Sequence, residues 1–380
     1  MPKIAIVRGR HLNKYEMQFY EPLASKYDLM GFGSISSYHT NFNFPVAKLL
    51  SPIDILEVTS HLHIPQHLVL GILNRLFIDA QYLYGLEEKL KGYDIAHAAD
   101  TFYHFTHQCI VAKRKGYVKK VIATVYENIP FNNEGIWGRK EFKKDALGEV
   151  DHFIAISERS KAALILEGCP EEKISVVTQA IDTKRFKPKK KIEKDKINIL
   201  FSGRLEWYKG VYEIINAAAL ILKESEISKY NPRFILVGEG SEKSKLLELE
   251  ERLGIKQFID HRNVAYENMP QIYQNADIFI APSNITSHWQ EQFSTVLLEA
   301  QASGLPIVTT NTGGIPENVG EAAITVGAGD FYGLAKALKN LILDKDLRSK
   351  YGKKARERAV KHFDIKIISD KIDKIYESLL

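Results

Sequence analysis

The chain has 380 residues, 45% hydrophobic and 26% charged, with a formal net charge of +5, enough apolar content for more than one core and therefore for two domains. Its lysines are dispersed and no basic helix is interleaved with aromatics, which argues against a track for nucleic acid. Two cysteines, Cys109 and Cys169, with no CxxC and no His/Cys cluster, leave neither a disulfide framework nor a cysteine metal site and read as buried thiols of a reducing compartment.

In chain order, MPKIAIVRG runs straight into a strand with no basic-then-apolar signal segment before it, and no apolar run approaches about 18 residues. The expectation is a cytoplasmic protein. Short apolar strands then alternate with amphipathic helices, the pattern of parallel sheets covered on both faces. The first half offers strands starting at Lys3, Tyr27, Tyr93, Val121, His152 and Ile174. The second half offers strands starting at Ile197, Arg233, Phe258, Asp277, Pro306 and Ala322. Between them TKRFKPKKKIEKDK, residues 183–196, is polar and charged and reads as a solvated linker. The expected layout is an α/β chain of two Rossmann-like, doubly wound domains facing a cleft: residues 1–182, the linker 183–196, residues 197–365, and a last helix over 366–380. That helix carries Ile368, Ile372, Ile375 and Leu379 at helical spacing, so one face must bury, on its own domain or back on the first.

The most informative stretch is WQEQFSTVLLEAQASGLPIVTTNTGGIPE, which sets Glu291 before a predicted helix and Glu299 inside it, with Ser294 and Thr295 as hydroxyl caps between them. A helix start has backbone N–H groups without intrahelical partners and the positive end of the dipole, where a phosphate is at home. If Thr295 and Val296 open the helix, Glu299 lies about 6 Å further along the axis. That distance suits a carboxylate accepting both hydroxyls of a ribose while a diphosphate stays at the helix tip. Glu291, outside the helix, can face the sugar end of the same ligand, and Gly304 followed by Pro306 closes the helix.

Four blocks in order carry a resemblance: HFIAISERSKAALILEGCPEEKISVVTQAIDTKRFKP, NILFSGRLEWYKGVYEIINAA, RFILVGEGSEKSKL and the stretch just described. Together they resemble retaining GT-B glycosyltransferases of family four (glycosyltransferase group 1), most specifically from Val150 to Val319. The resemblance implies that Arg204 and Lys209 bind a donor diphosphate, with Gly203 and Gly238 giving close backbone approach to the nucleotide. It gives Glu299 the ribose and Glu291 the donor hexose, with Gln292, Phe293, Ser294, Thr295 and Val296 forming the loop and helix start at the donor. Where the family usually reads Glu-Gly-Phe-Gly, this chain has Glu291-Gln292-Phe293-Ser294, whose added side chains narrow the space. In the first domain the family's glycine pair is replaced by Arg8-Gly9-Arg10-His11, leaving Gly9 as the close-approach glycine. Tyr126 stands where a histidine is expected, with Glu127 and Asn128 beside it. A phenol can donate a hydrogen bond to a sugar but cannot take over proton chemistry near neutral pH.

The implied reaction is transfer of a hexose from a nucleoside-diphosphate sugar to a hydroxyl acceptor with retention, by front-face attack, without cofactor or metal. His104 and His107, three apart, read as helix-face histidines. A nucleotide-sugar epimerase, a solute-binding protein and a catalytically silent subunit of the same fold are the alternatives. The basic stretches from Lys113 and from Gly138 allow peripheral contact with an anionic membrane at the inner face, and the apolar, proline-bearing stretch from Leu49 to Phe77 is compatible with an acceptor-side insertion.

Overall fold

The computed structural model describes residues 1–62, 64–189 and 196–380; residues 190–195, the centre of the expected linker, lie outside them. The chain divides into two compact units, Met1–Ala180 with Ile365–Leu380, and Ile181–Asp364.

The first unit is built on a seven-stranded parallel sheet: β1 (Lys3–Gly9), β2 (Asp28–Ser34), β3 (Val46–Leu49), β4 (Tyr93–Ala99), β5 (Val118–Val125), β6 (His152–Ala155) and β7 (Ile174–Val176), in the order β3-β2-β1-β4-β5-β6-β7. Alternate residues of each strand serve opposite faces. Ala5, Val7, Ala96, Ala98, Val121 and Ala123 face one core, and Ile4, Ile6, Ile95 and Ile122 face the other. Burial on both sides is why these strands read as nearly continuous apolar runs. β3 was not among the expected strands. Its four residues VAKL follow Pro45 at the sheet edge and are half-buried or exposed, too short and too polar for a periodic signal.

The last helix, Ile365–Leu379, packs on the first unit: Ile368, Ile372, Ile375 and Tyr376 join the core that holds Ile4, Tyr20 and Tyr27. A buried polar network reinforces it. The Tyr376 hydroxyl lies 2.7 Å from His97 Nδ1, and Thr124 Oγ1 lies 2.7 Å from His97 Nε2. Arg8 donates to the Tyr20 hydroxyl and to the carbonyl of His97. Burial and the nearby Arg8 charge push the His97 pKa well below its ordinary value, so the ring is neutral in this core.

The second unit carries β8 (Asn198–Ser202), β9 (Arg233–Val237), β10 (Ile259–Arg262), β11 (Ile278–Ala281), β12 (Ile307–Thr310) and β13 (Ile324–Val326), all parallel, in the order β10-β9-β8-β11-β12-β13. Helices Val211–Ile221 and Phe331–Leu343 cover one face through Ile214, Ile215, Ala218, Leu334 and Leu338. Strand order reverses between β8 and β11, so the loops leaving their carboxyl ends flank a topological switch point, the usual place for a ligand in an open α/β sheet.

The start of the expected linker is not a bare tether. Phe186 is fully buried, Arg185 lies over the Tyr266 ring, and Arg356 donates to the carbonyls of Thr183 and Phe186. A basic stretch can look solvated in sequence while its aromatic and backbone groups are held by the domain it enters.

Candidate active site

Two close approaches of backbone shape the carboxyl edge of the second sheet. Gly203 and Gly238, at the ends of β8 and β9, lie so close that a Cβ on Gly238 would stand 1.9 Å from the Gly203 carbonyl oxygen. Gly210, with φ +74°, sits against the loop after β11, where a Cβ would fall 1.9 Å from the carbonyl oxygen of Pro282. Only glycine fits either place. The segment 203–210, which carries Arg204 and Lys209, is thereby clamped between its neighbours on both sides of the switch point.

Lys209 reaches across that switch point. Its Nζ donates to Glu291 Oε2 at 2.7 Å, and the same oxygen accepts the Ser283 hydroxyl at 3.0 Å. The ammonium also lies 4.9 Å from the centre of the Trp289 ring, which packs on Tyr208 at 4.4 Å. Arg204 is exposed and lies over the other partner of this pair, 5.4 Å from the Tyr208 ring centre. Arg204, Lys209 and Glu291 thus meet around one aromatic pair. Glu291 is held from below by backbone: Gly314 N–H donates to its carbonyl at 2.8 Å, and a Cβ on Gly313 would stand 2.1 Å from that carbonyl oxygen. Thr310 donates to the carbonyl of Ser283 at 2.6 Å, fixing the other partner.

Glu299 lies in the helix Thr295–Ala302, with the C′ glycine Gly304 at φ +69°. Its carboxylate is buried and doubly bonded: the Tyr266 hydroxyl donates to Oε1 at 2.6 Å and the Tyr273 hydroxyl to Oε2 at 2.7 Å. Tyr273 is fully buried, and desolvation together with the Glu299 charge drives its pKa well above the ordinary tyrosine value, so it remains a donor.

The helix start corrects one expectation. Ser294 precedes the helix but its hydroxyl makes no capping bond, because its backbone sits at φ +46°, ψ +92° instead of the extended conformation that aims an N-cap side chain at the first amides. Asn318 fixes the turn instead, its side-chain amide donating to the carbonyls of Phe293 and Ser294 while its own oxygen accepts from Gln301. The side chain of Ser294 thus leaves the amides of Thr295 and Val296 uncapped. Phe293 is buried against Phe363, so its ring serves the core and only its backbone faces the loop, whereas Gln292 is exposed. The positive φ of Ser294 matches the glycine of the pattern it departs from. Ser294→Gly is therefore expected to raise stability by about 1 kcal/mol, read as a higher melting temperature, with nucleotide binding retained.

In the first unit, Gly9 has φ +53° and a Cβ there would meet Gln81 Oε1 at 2.4 Å, so the close approach is to a side chain of its own domain. Tyr126 is half-buried against the apolar core, and its N–H donates to Asp100 Oδ1 at 2.8 Å. Glu127 is occupied: Oε1 accepts the amides of Asn128 and Ile129, and Oε2 the side chains of Asn132 and Asn133. It braces a loop and is not available as a substitute for the missing histidine. Asp100, which the sequence reading passed over, is buried at the end of β4 with its pKa pushed up to about 7, by burial first and by the charge of Glu127, against the pull of the two amides it accepts. His104 and His107 sit on the helix His104–Arg114, one bonded to the carbonyl of Phe77 and the other stacked on Phe142.

Ser283, Trp289, Tyr266, Tyr273 and Asn318 were also missed. The glycine doublet at 313–314 gave a local hint only of a backbone packed tightly on its neighbour, which is the loop at Glu291 and Gln292.

The model for glycosyl transferases group 1 matches residues 182–358, and that for glycosyltransferase family 4 matches residues 48–185. The capsular polysaccharide biosynthesis glycosyltransferase CapM of Staphylococcus aureus is 28% identical over 254 residues, 63% of this chain and 64% of that protein. The D-inositol 3-phosphate glycosyltransferase of Corynebacterium jeikeium is 34% identical over 189 residues, 47% of this chain and 43% of its own. The matched region thus spans less than two thirds of these relatives. Among solved structures, HepE of Anabaena in complex with UDP superposes with a TM-score of 0.77 at 17% identity over the full length of both chains. Sucrose-phosphate synthase of Thermosynechococcus elongatus gives 0.75 at 18% identity, covering 100% of this chain and 99% of its own. Both likenesses show the GT-B fold.

Proposed function

This chain belongs to the group 1 glycosyltransferases of family 4, and from that premise we propose that it moves a hexose from a nucleoside-diphosphate sugar to a hydroxyl acceptor, with retention and without a metal ion. The observation that carries the reading is the Lys209–Glu291 pair at the switch point, with the tyrosine-held Glu299 in the adjoining helix. In this reading the diphosphate lies on the amides of Thr295 and Val296, where the helix dipole favours an anion. Lys209 and Arg204 supply the positive charge. Glu299 accepts the ribose hydroxyls, and Glu291, once Lys209 turns toward phosphate, accepts from the hexose. Gly9 and Tyr126, at the carboxyl edge of the first sheet, are assigned to the transferred sugar of the donor, with Tyr126 as a hydrogen-bond donor to it, and the first unit is assigned to the acceptor.

The chemistry then needs little more than fixed charge. As the bond from the anomeric carbon to the phosphate oxygen breaks, its electron pair goes to the leaving diphosphate, where Lys209 and Arg204 stabilise it. The acceptor oxygen attacks the same face of the oxocarbenium-like sugar and its proton passes to the departing phosphate oxygen. In this reading Glu291 accepts from Ser283 and from the hexose hydroxyls and is not assigned the part of a covalent nucleophile.

The test is a thermal-shift panel of nucleoside diphosphates and their sugars on the whole chain, starting with UDP-glucose, the ligand present in one HepE structure. One donor is expected to stabilise the protein by about 2.7 kcal/mol at a concentration about 100 times its dissociation constant. NMR of the transfer product should show the anomeric configuration of the donor. No stabilisation by any member of the panel, or a product with inverted configuration, defeats the proposal.

A further inference from the structure

Asp100, just past the carboxyl end of β4, holds a buried carboxylate that the transfer chemistry does not use. Its backbone stands at φ +49°, a left-handed conformation that costs a residue with a side chain energy and that aspartate tolerates better than most. Two bonds fix it there: its N–H donates to the carbonyl of Thr124 at 2.8 Å, and the Thr106 hydroxyl donates to the carbonyl of Ala99, the residue before it, at 2.7 Å. The carboxylate is thereby aimed at the neighbouring strand end. Its Oδ1 accepts the N–H of Tyr126 at 2.8 Å and the N–H of Glu127 at 3.2 Å, the first two residues beyond β5.

These two amides are the root of the loop that carries Tyr126. Further along, Glu127 gathers the amides of Asn128 and Ile129 and the side chains of Asn132 and Asn133, so the loop is braced within itself. Its root is tied to its surroundings by Asp100 and by the Ser160 hydroxyl, which donates to the Tyr126 carbonyl at 3.4 Å. An ionised acceptor makes stronger bonds than a neutral one, and both amides share one oxygen, so a proton on the carboxyl weakens both bonds at once.

Fold stability does not account for a carboxylate in this place. Burial and the charge of Glu127 push its pKa up to about 7, against the pull of the two amides and of Arg8. The folded-state value lies above the unfolded one, so the chain loses stability as pH rises from about 4 to about 7. The groups that face Asp100 are Arg8 from β1, Glu127 and the Tyr126 phenol from the loop after β5, and the Tyr103 phenol before the helix His104–Arg114. Glu16 and Tyr20 act on Tyr126 in turn, and Asp79, Arg139 and His11 on Tyr103. Burial raises both phenols, which stay neutral between about pH 6 and about pH 8.

We propose that Asp100 is a positioning residue for the transfer: its ionised carboxylate holds the root of the loop after β5 and so sets where Tyr126 meets the transferred sugar. The link to transfer rests on the assignment of Tyr126 to that sugar, whereas the hold on the loop does not.

Asp100→Asn tests it, because asparagine matches the shape, accepts the left-handed backbone and still offers an oxygen to the amides, but cannot ionise. In the wild type, kcat/KM should fall as pH is lowered from about 8 to about 6, through an apparent pKa of about 7. In the variant that limb should vanish, and kcat/KM at about pH 8 should be lower by about tenfold. Its melting temperature there should be no lower than that of the wild type, and its stabilisation by nucleoside diphosphate unchanged. Hydrogen exchange reads the hold without any transfer: corrected for intrinsic rate, the Tyr126 and Glu127 amides should be better protected at about pH 8 than at about pH 6 in the wild type, with no such difference in Asp100→Asn. An acid limb that persists in the variant overturns the proposal, as does equal wild-type protection at both pH values. A fall in melting temperature that tracks the lost transfer would make Asp100 structural and overturns it too. Tyr126→Phe reads the underlying assignment separately, since an unchanged rate there defeats the sugar contact even where the exchange result stands.

Discussion

Lys209→Met is expected to lower transfer by about three orders of magnitude, the loss seen when a fixed charge or donor facing a developing anion is removed. The negative charge on the departing diphosphate grows through the transition state, so the loss should fall on kcat as well as on kcat/KM. The structure adds a complication that a glance at the sequence would miss. In the ligand-free state the ammonium is the ion-pair partner of Glu291, whose side chain is 11% exposed, so the substitution also strips a largely buried charge of its cation. Stability should fall by about 1–3 kcal/mol, as for a buried charged group that loses its partner. The double variant Lys209→Met/Glu291→Gln separates the two effects. It removes the unpaired charge and should recover most of the melting temperature, yet its initial rate should stay near that of the single variant. If transfer returned together with stability, Lys209 would be a structural counter-ion and its assignment to the diphosphate would fail.

Much of this architecture was legible because burial on both faces writes itself into strands. Ile4, Ile6, Ile95 and Ile122 alternate with Ala5, Val7, Ala96 and Val121, so every central strand reads as an apolar run. The edge strand Val46–Leu49 has no such signature. The last helix shows the limit of periodicity: Ile368, Ile372 and Ile375 state that one face is buried, but only the coordinates show it against Tyr20 and Tyr27 of the first unit. At the site, lysine, arginine and both glutamates could be found because a family pattern ordered them. Their supports could not. Tyr266 and Tyr273 stand 33 and 26 positions from Glu299, and no local spacing marks a hydroxyl that arrives from another helix. Ser294 illustrates a different failure. Serine before a helix is the ordinary cap, but here a turn held by Asn318 sets a positive φ that local preference cannot reveal. The helix Gln66–Phe77 was visible only as part of an apolar stretch until exposure separated Leu68, Ile72 and Leu76 from the buried Leu73.

Glu299→Gln should raise the donor KM by about 10- to 100-fold while kcat changes little, because a ribose contact is made equally in the ground state and the transition state. The geometry explains why an amide is a poor replacement. A carboxylate offers about four acceptor directions, and here one on each oxygen is taken by a tyrosine hydroxyl, at 2.6 Å from Tyr266 and 2.7 Å from Tyr273. The proposed ribose contact brings two further hydroxyl donors to this carboxylate. Glutamine keeps one acceptor oxygen and turns two hydrogens toward groups that also donate, so it can serve the tyrosines or the ribose but not both. Tyr273 is fully buried, and weakening its charge-assisted bond should also cost about 1–2 kcal/mol of stability in the second unit. A donor analogue without ribose hydroxyls isolates the contact. Wild type should bind the 2′,3′-dideoxy nucleoside diphosphate far less well than the parent, whereas the variant should barely distinguish them. Equal discrimination by both proteins would mean that the tyrosine-held carboxylate is structural and that the ribose is read elsewhere, even if the donor assignment itself survived the ligand panel.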